Sequence, residues 1–485
     1  MEVKTKNVVP MFDKDLVILS KKRNRLYNKA ISSKLDNDWL NFKNIRQSFS
    51  HLFRLKKSTF YKNIVRNEST SSSKLWRKLD PYLNPNKITK VSPSLIINDT
   101  YFNTPKDIAM TFSNFFSSVT NSFSFLGIDD CSNFINNHFL TTPLLNSLSN
   151  SDPGFNFVKF SAVEVHKALL SLRSSSAAGF VGIETRVFKD CASELKDCLT
   201  DLFNLCLSTG SIPDDWKVAF LTPIYKGKGS KSSLDNYRPI SILSPISKVF
   251  ENLLSFQLRH FFESNGIFSS SQFGFRKFLS CEIALNSMLD RWGVALDDRK
   301  YVIAIFLDLS KAFDTIDHEL LLLKLTRYGF SSLSIQLIRS YLSNRFSITT
   351  FDGAQSKPEA LKVGVPQGSV LGPLLFISFI NDICHLLLQA FLDLFADDST
   401  ASNSSNNISI LIESLSLDLN LISNWLVNNR LVINWTKTHA ILFNFCSIKS
   451  NPLYLDSKDL SLSLGSISVP FVDKTKILGV YLMID

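Results

Sequence analysis

Three aspartates carry the first chemical signal. Asp397 and Asp398 close the apolar stretch FLDLFADD, and Asp308 closes another, YVIAIFLD. Burying one unpaired ionised carboxylate is costly, and burying neighbours costs more, so a counter-charge is required. Carboxylates delivered by two strand ends suit Mg²⁺, a hard cation held by carboxylates together with substrate phosphates. Two such ions about 3.5–4 Å apart activate an attacking oxygen and stabilise a leaving one in phosphoryl transfer. The Asp-Asp pair alone reads more readily as two solvated turn residues. Asp308, on the end of a second apolar strand, shifts the balance towards a metal site.

These side chains need elements to hold them. Neighbouring side chains on a strand point to opposite faces, so Asp397 and Asp398 can share a centre only if the chain turns there. A hairpin through ADDS is expected, since Asp and Ser favour turns. Residues 301–310 read as a buried strand. DHELLLLKLTRYG reads as a helix with Asp317 as N-cap and Gly329 as its stop. Residues 408–429 form an amphipathic helix with Leu411, Ile412, Leu415, Leu419, Ile422 and Leu426 on one face. Helices are expected at about 162–172 and 187–207. KVAFLTPIYKGKG, LVIN, HAILFNF and KILGVYL read as strands. The elements interleave without the regular alternation of a doubly wound sheet, so the fold class is α+β, with helices packed on a small antiparallel sheet.

The N-terminal part differs in charge. The chain of 485 residues has a formal net charge of +10, and residues 1–90 hold 21 Lys and Arg against 7 Asp and Glu. Residues 15–66 read as helical, with Trp39, Phe42, Ile45, Phe49, Leu52, Phe53 and Phe60 in an apolar stripe and Lys43, Arg46, Arg54, Lys56, Lys57 and Lys62 between them. Such a surface is either a solvated helix face or a contact for a polyanion such as nucleic acid. A helix is expected at about 108–116 and a linker near 141–155. The domains are therefore placed at 1–150, a basic and mostly helical extension, and 156–485.

Composition sets further bounds. Hydrophobic residues make up 45% and charged residues 20%, a globular balance with Phe, at 40 copies, as the main core filler. The seven cysteines form no C-x-x-C pair or metal-ligand spacing, so a reducing, intracellular setting, nuclear or cytoplasmic, is expected. The opening MEVKTKNVVPMFDKD has no apolar signal region, and no membrane span is expected.

In order along the chain, LTPIYKGKG…DNYRPISILSPISKVFE, SQFGFRK, AIFLDLSKAFDTIDHELLLLKL, GVPQGSVLGPLLFISFINDI, LFADDST, LVINWTKTHAILF and KILGVYL resemble the finger motifs and motifs A to E of the reverse transcriptases of non-LTR retrotransposons, the jockey-like and related long interspersed elements. The resemblance covers about residues 160–485. It implies right-hand polymerase fingers and palm, RNA-directed DNA polymerase activity with two Mg²⁺ ions, and an RNA template, a DNA primer and dNTPs as partners. Asp308 and Asp397 would be the principal metal ligands and Asp398 a weaker third. Phe313 would sit under the incoming sugar and reject a ribose 2′-hydroxyl. The backbone amides of Lys311 and Ala312 would meet the triphosphate, and Lys226 and Arg238 would reach over it. Gln367, followed by Gly368, would line the nucleotide pocket. Lys437 would protonate the departing pyrophosphate, and Leu478 and Gly479 would form the hairpin gripping the primer end.

The resemblance is imperfect. SAAGFVGI, at residues 176–183, stands where the family pattern is K-S-P-G-P-D-G-I. Phe278, Leu279 and Cys281 also depart from it, which puts template or nucleotide handling in question. The thumb and the endonuclease of the family are expected to be missing. A degenerate copy that folds and binds RNA without polymerising is the alternative expectation.

Overall fold

The computed structural model describes residues 13–67, 95–97, 100–102, 104–118, 125–143, 145, 154–174, 176–227, 229–386, 388–446, 460–464 and 467–483. The chain divides into two compact units, Met1–Val91 and Ser92–Asp485. The first holds two helices, Lys14–Ser33 and Asp36–Asn67, instead of one continuous helix. Lys34, in the left-handed conformation at φ 54°, ends the first. The helices pack antiparallel: Lys56 pairs with Asp13 and Asp15, Arg23 lies over the Phe49 ring, and Tyr27 contacts Trp39 and Phe42. The apolar stripe is half-buried, and Lys43, Arg46, Arg54, Lys57 and Lys62 are exposed.

The second unit is α+β. Its strands are β1 (Leu95–Ile97), β2 (Thr100–Phe102), β3 (Val218–Tyr225), β4 (Tyr237–Ile242), β5 (Tyr301–Leu307), β6 (Arg345–Phe351), β7 (Ala354–Gln355), β8 (Glu359–Leu361), β9 (Phe391–Phe395), β10 (Asp398–Ser405), β11 (His439–Phe443), β12 (Leu462–Leu464), β13 (Ile467–Val469), β14 (Lys474–Ile477) and β15 (Val480–Met483). Two sheets matter for the site. One is antiparallel, in the order β11-β5-β10-β9. The other runs β4-β3-β6-β7 with β8 paired to β6.

Strand β5 is buried on both faces, and its alternation divides the interior. Ile303, Ile305 and Leu307 join the main core, with Leu394, Ala401 and the helix Ile408–Asn428. Val302, Ala304 and Phe306 face the helix Cys281–Asp297 through Ala284, Met288 and Trp292. This two-sided core fixes the strand that ends at Asp308.

The unit boundary differs from the expected one. Helices Pro105–Ser117 and Ile128–Thr141 belong with the sheets, although the sequence placed them in the extension. Cys131, Ile135 and Phe139 are fully buried in the main core, and Phe139 packs edge-on against Tyr328. The expected linker at 141–155 lies mostly outside the described residues. LVIN is reduced to one bridge, Ile433 to Leu309. The helix expected over 187–207 is broken at Cys191 into Thr185–Asp190 and Ala192–Thr209, and it ends at left-handed Gly210 as expected. Ile408–Asn428 is long and apolar enough to cross a membrane by length and composition, which the sequence reading did not anticipate. Its Leu411, Leu415, Leu419, Ile422 and Trp425 are buried in the core.

Candidate active site

Asp308 follows β5 directly, and its backbone is held from both sides. Its N–H donates to Thr438 Oγ1 (3.3 Å), and its carbonyl accepts from Asn434 N (2.7 Å). The second contact belongs to the loop before β11, and that loop also brings in Lys437. Lys437 Nζ lies 3.5 Å from Asp308 Oδ2.

Asp397 sits in the β9–β10 hairpin. The register pairs Asp398 with Phe395 and Ser399 with both Leu394 and Leu307, so the two-residue loop is Ala396-Asp397. This is one residue earlier than the ADDS turn expected from sequence. Ala396 takes φ 58°, the positive value that tight hairpin loops require at their first position. The shift separates the two aspartates. Asp397 lines the same cavity as Asp308. Asp398, already on β10, lines a crevice with Phe273, Met288, Asp393 and Leu478.

A segment that sequence reasoning did not assign to the site braces this hairpin. Phe273 N donates to Leu394 O, and Leu394 N donates to Ser271 O. Gln272 is fully buried, and its Oε1 accepts from Ala396 N (3.1 Å) and Gly274 N (2.8 Å). A Cβ on Gly274 would stand 2.3 Å from Ala396 N, so only glycine permits the close approach.

The cavity, of about 600 Å³, gathers most of the sequence-derived residues: Lys226, Arg238, Asp308, Lys311, Ala312, Phe313, Gln367, Asp397 and Lys437. Lys311 opens the turn after β5 at φ 49°. Phe313 stacks on Phe376 (4.3 Å between centroids, 21° between planes) and meets Phe275 edge-on at 6.1 Å. Gln367 Nε2 donates to both oxygens of Asp314, at 2.8 and 3.0 Å. Gln367 O accepts from Ser241 N of β4 (2.7 Å), and Val365 N donates to Phe313 O (2.9 Å). These bonds stitch the GVPQG loop to β4 and to the turn after Asp308. Gly368 lies outside the cavity lining: at φ 112° it rests on β4, where a Cβ would be 2.6 Å from Ser241 O. Leu478 and Gly479, at φ 46° and 92°, form the two-residue turn of the β14–β15 hairpin, with Leu478 beside Asp398.

Burial dominates the electrostatics of Asp397 and Asp398. The Asp397 carboxyl is raised above the usual carboxylate range by burial first and then by Asp308, with Arg238 opposing. Asp398 is pushed up to about 6, by desolvation first and then by Asp397 and Asp308. Lys226 is lowered by burial first and then by Lys437 and Arg238. Among the described residues, no three His, Cys, Asp or Glu side chains gather to hold one metal ion. Of the three expected carboxylates, Asp308 and Asp397 line one cavity and Asp398 lines the neighbouring crevice. Two carboxylates still suit Mg²⁺, which takes one or two from protein and completes its shell with water and phosphate.

Asp314, Asn434, Phe115 and Phe116 also line the cavity and were missed in the sequence. Asp314 sits next to Phe313 in KAFD, where its acidity was a usable signal. Phe115 and Phe116 lie on a helix whose pattern reads as ordinary core.

Two carboxylates facing basic side chains across one cavity, on an α+β scaffold, are what these features define. Residues 226–482 match the reverse transcriptase (RNA-dependent DNA polymerase) family, and the chain belongs to it. It is 30% identical to the probable RNA-directed DNA polymerase from transposon BS of Drosophila melanogaster, over 57% of this chain and 31% of that protein. It is 28% identical to the probable RNA-directed DNA polymerase from transposon X-element of the same fly, over 67% of this chain and 35% of that protein. It is also 28% identical to the RNA-directed DNA polymerase from mobile element jockey of Drosophila melanogaster, over 58% and 31%. The chain thus spans about a third of the length of these relatives.

Proposed function

We propose that the unit Ser92–Asp485 is an RNA-directed DNA polymerase of the non-LTR retrotransposon type, extending a DNA primer on an RNA template from dNTPs. The observation that carries this reading is the convergence of Asp308 and Asp397 on one cavity walled by Lys226, Arg238, Lys311 and Gln367. The sheet β11-β5-β10-β9 is then the palm and the sheet around β3 the fingers.

Asp308 and Asp397 would hold Mg²⁺, which when bound activates the primer hydroxyl and neutralises the triphosphate. Lys226 and Arg238 draw the phosphates in; the planar fork of Arg238 suits two oxygens at once. Phe313, stacked on Phe376, would sit under the incoming sugar and reject a 2′-hydroxyl. Gln367, its amide nitrogen bonded to Asp314, lines the cavity where the nucleotide would sit. Lys437 stands beside Asp308 to protonate the leaving pyrophosphate. The turn at Leu478 and Gly479 supports the primer end, and Asp398 has a secondary electrostatic role. The exposed basic face of the first unit would contact RNA, in an intracellular setting.

The test is dNTP incorporation on primed poly(rA) as Mg²⁺ is varied, with Asp397→Asn alongside. Incorporation that the variant loses supports the reading. Equal background from both proteins overturns it.

A further inference from the structure

One wall of the cavity comes from outside the segment that matches the family. Helix Pro105–Ser117 begins with Thr104 as N-cap and Pro105 in its first turn. It lays Phe112 on the sheet around β3, 4.8 Å from Tyr237 and 6.1 Å from Phe351. With Ile108 and Phe112 fully buried, the helix is anchored. Its last turn then delivers Phe115 and Phe116 to the cavity lining.

Phe115 meets a charge there. Lys311 Nζ lies 4.2 Å from the centre of the Phe115 ring and 4.0 Å from Asp235 Oδ1. Lys311 is three residues past Asp308, at the head of the turn leading to Phe313. An ammonium on a flexible four-carbon stem has many positions open to it, and Asp314 offers a second acidic partner. The negative face of an aromatic ring selects one of those positions without neutralising the charge. A carboxylate alone would pair with the ammonium and compete with an incoming phosphate.

We propose that Phe115 is a positioning residue for the triphosphate: its ring holds the Lys311 ammonium at the cavity wall, where phosphate oxygens arrive. The site therefore extends about a hundred residues upstream of the matched family segment. This rests on the reading of the cavity as the dNTP site, and the experiment separates the two.

In the full chain, dNTP binding to the complex with primed RNA is measured in Ca²⁺, and steady-state incorporation is measured in Mg²⁺. The proteins are wild type, Phe115→Leu, Phe115→Trp, Lys311→Met and the Phe115→Leu/Lys311→Met double variant. Phe115→Leu is expected to weaken dNTP binding and raise KM about fivefold, the scale of one partly buried cation–π contact, with a smaller change in kcat. Phe115→Trp restores both values, which a purely apolar packing role does not require. The double variant binds no worse than Lys311→Met, because the ring acts through the lysine. Effects of Phe115→Leu and Lys311→Met that simply multiply, or Leu and Trp variants that behave alike, overturn the proposal. If the wild type binds dNTP and Phe115→Leu binds it equally, the proposal alone fails. If the wild type binds none, the reading of the cavity fails with it.

Discussion

Lys437 Nζ stands 3.5 Å from Asp308 Oδ2, so the proposed proton donor and a proposed metal ligand share one electrostatic site. The lysine offsets charge on Asp308, and a divalent cation must compete with it. Lys437→Met therefore has two opposed effects. Loss of the proton donor lowers kcat by about a hundredfold, the lower end of general-acid contributions. Loss of the competing cation lowers the Mg²⁺ concentration needed for half-maximal rate. Pyrophosphate release measured across a Mg²⁺ titration reads both, and a variant that needs more Mg²⁺ than wild type contradicts the account.

Gly274 and Gln272 act on the same centre from behind. Gly274→Ala places a methyl 2.3 Å from Ala396 N, and backbone has to yield. The hairpin carrying Asp397 moves, so incorporation falls at least tenfold while far-UV circular dichroism stays native, given that an ångström-scale misplacement costs on the order of 10²-fold. Gln272→Leu strands two backbone donors, Gly274 N and Ala396 N, in a buried site. Stability drops by about 1–3 kcal/mol per stranded group, measured by urea unfolding.

Asp314 gives a pH signature. Its carboxyl is pushed up to about 6 from 3.8, by burial above all, against the hydrogen bonds from Gln367. Between those values the folded chain retains a proton that the unfolded chain has released. Stability from this group is thus fully present below pH 3.8 and is lost as pH rises towards 6. Asp314→Asn keeps an acceptor for Gln367 Nε2 but has no such titration. The urea midpoint of the variant, relative to wild type, should rise between pH 4 and pH 7, by about the linkage expected of a single group. A pH-independent difference rejects the assignment.

Phe313 is wedged between Phe376 below and Phe275 at its edge. That mount fixes the plane of the ring and with it the space left for a sugar. Phe313→Val opens room for a 2′-hydroxyl, and discrimination of dNTP over rNTP, taken as the ratio of kcat/KM values, falls about 10- to 100-fold, the range of one pocket contact. Phe376→Leu should give a smaller loss in the same direction, because it loosens the mount without removing the ring.

The parts legible in the sequence are those governed by local pattern. The apolar run ending in Asp308 forms β5, Asp317 caps its helix through Glu319 N and Leu320 N, and Gly210 ends another in the left-handed conformation. Ordered motifs likewise gathered Lys226, Arg238, Asp308, Gln367, Asp397 and Lys437 at one cavity. What escaped depends on register or on tertiary approach. A one-residue difference in the hairpin puts Asp398 in the crevice beside Leu478 and Asp397 in the cavity with Asp308, and period-two patterning cannot fix a turn to one residue. Phe115 looks like core at helical spacing, and only the fold brings its ring over Lys311. Gln272 carries no local sign that its amide oxygen will serve a hairpin loop more than a hundred residues away.

The unit boundary makes a final prediction about which pieces fold. Charge and composition placed the division near residue 150, but the compact unit begins at Ser92. Helix Ile128–Thr141 buries Cys131, Ile135 and Phe139 completely, and Arg327 donates to Asn136 Oδ1 at 2.7 and 2.9 Å. His138 Nε2 lies 3.1 Å from the carbonyl of Asp382, whose carboxylate forms a fully buried pair with Lys324. Removing that helix takes these three side chains out of the core, and each large one costs about 2–5 kcal/mol, comparable with the whole stability of a domain. A chain starting at Ser92 should therefore unfold cooperatively like the parent, whereas one starting at residue 156 should be aggregated or lack a cooperative transition. The Ser92 chain also lacks the basic helix pair. It should keep dNTP incorporation on a short primed template but bind RNA more weakly, with a shallower dependence of affinity on salt, because fewer phosphates are neutralised. RNA affinity and salt slope equal to those of the full chain would remove residues 1–91 from the nucleic-acid contact.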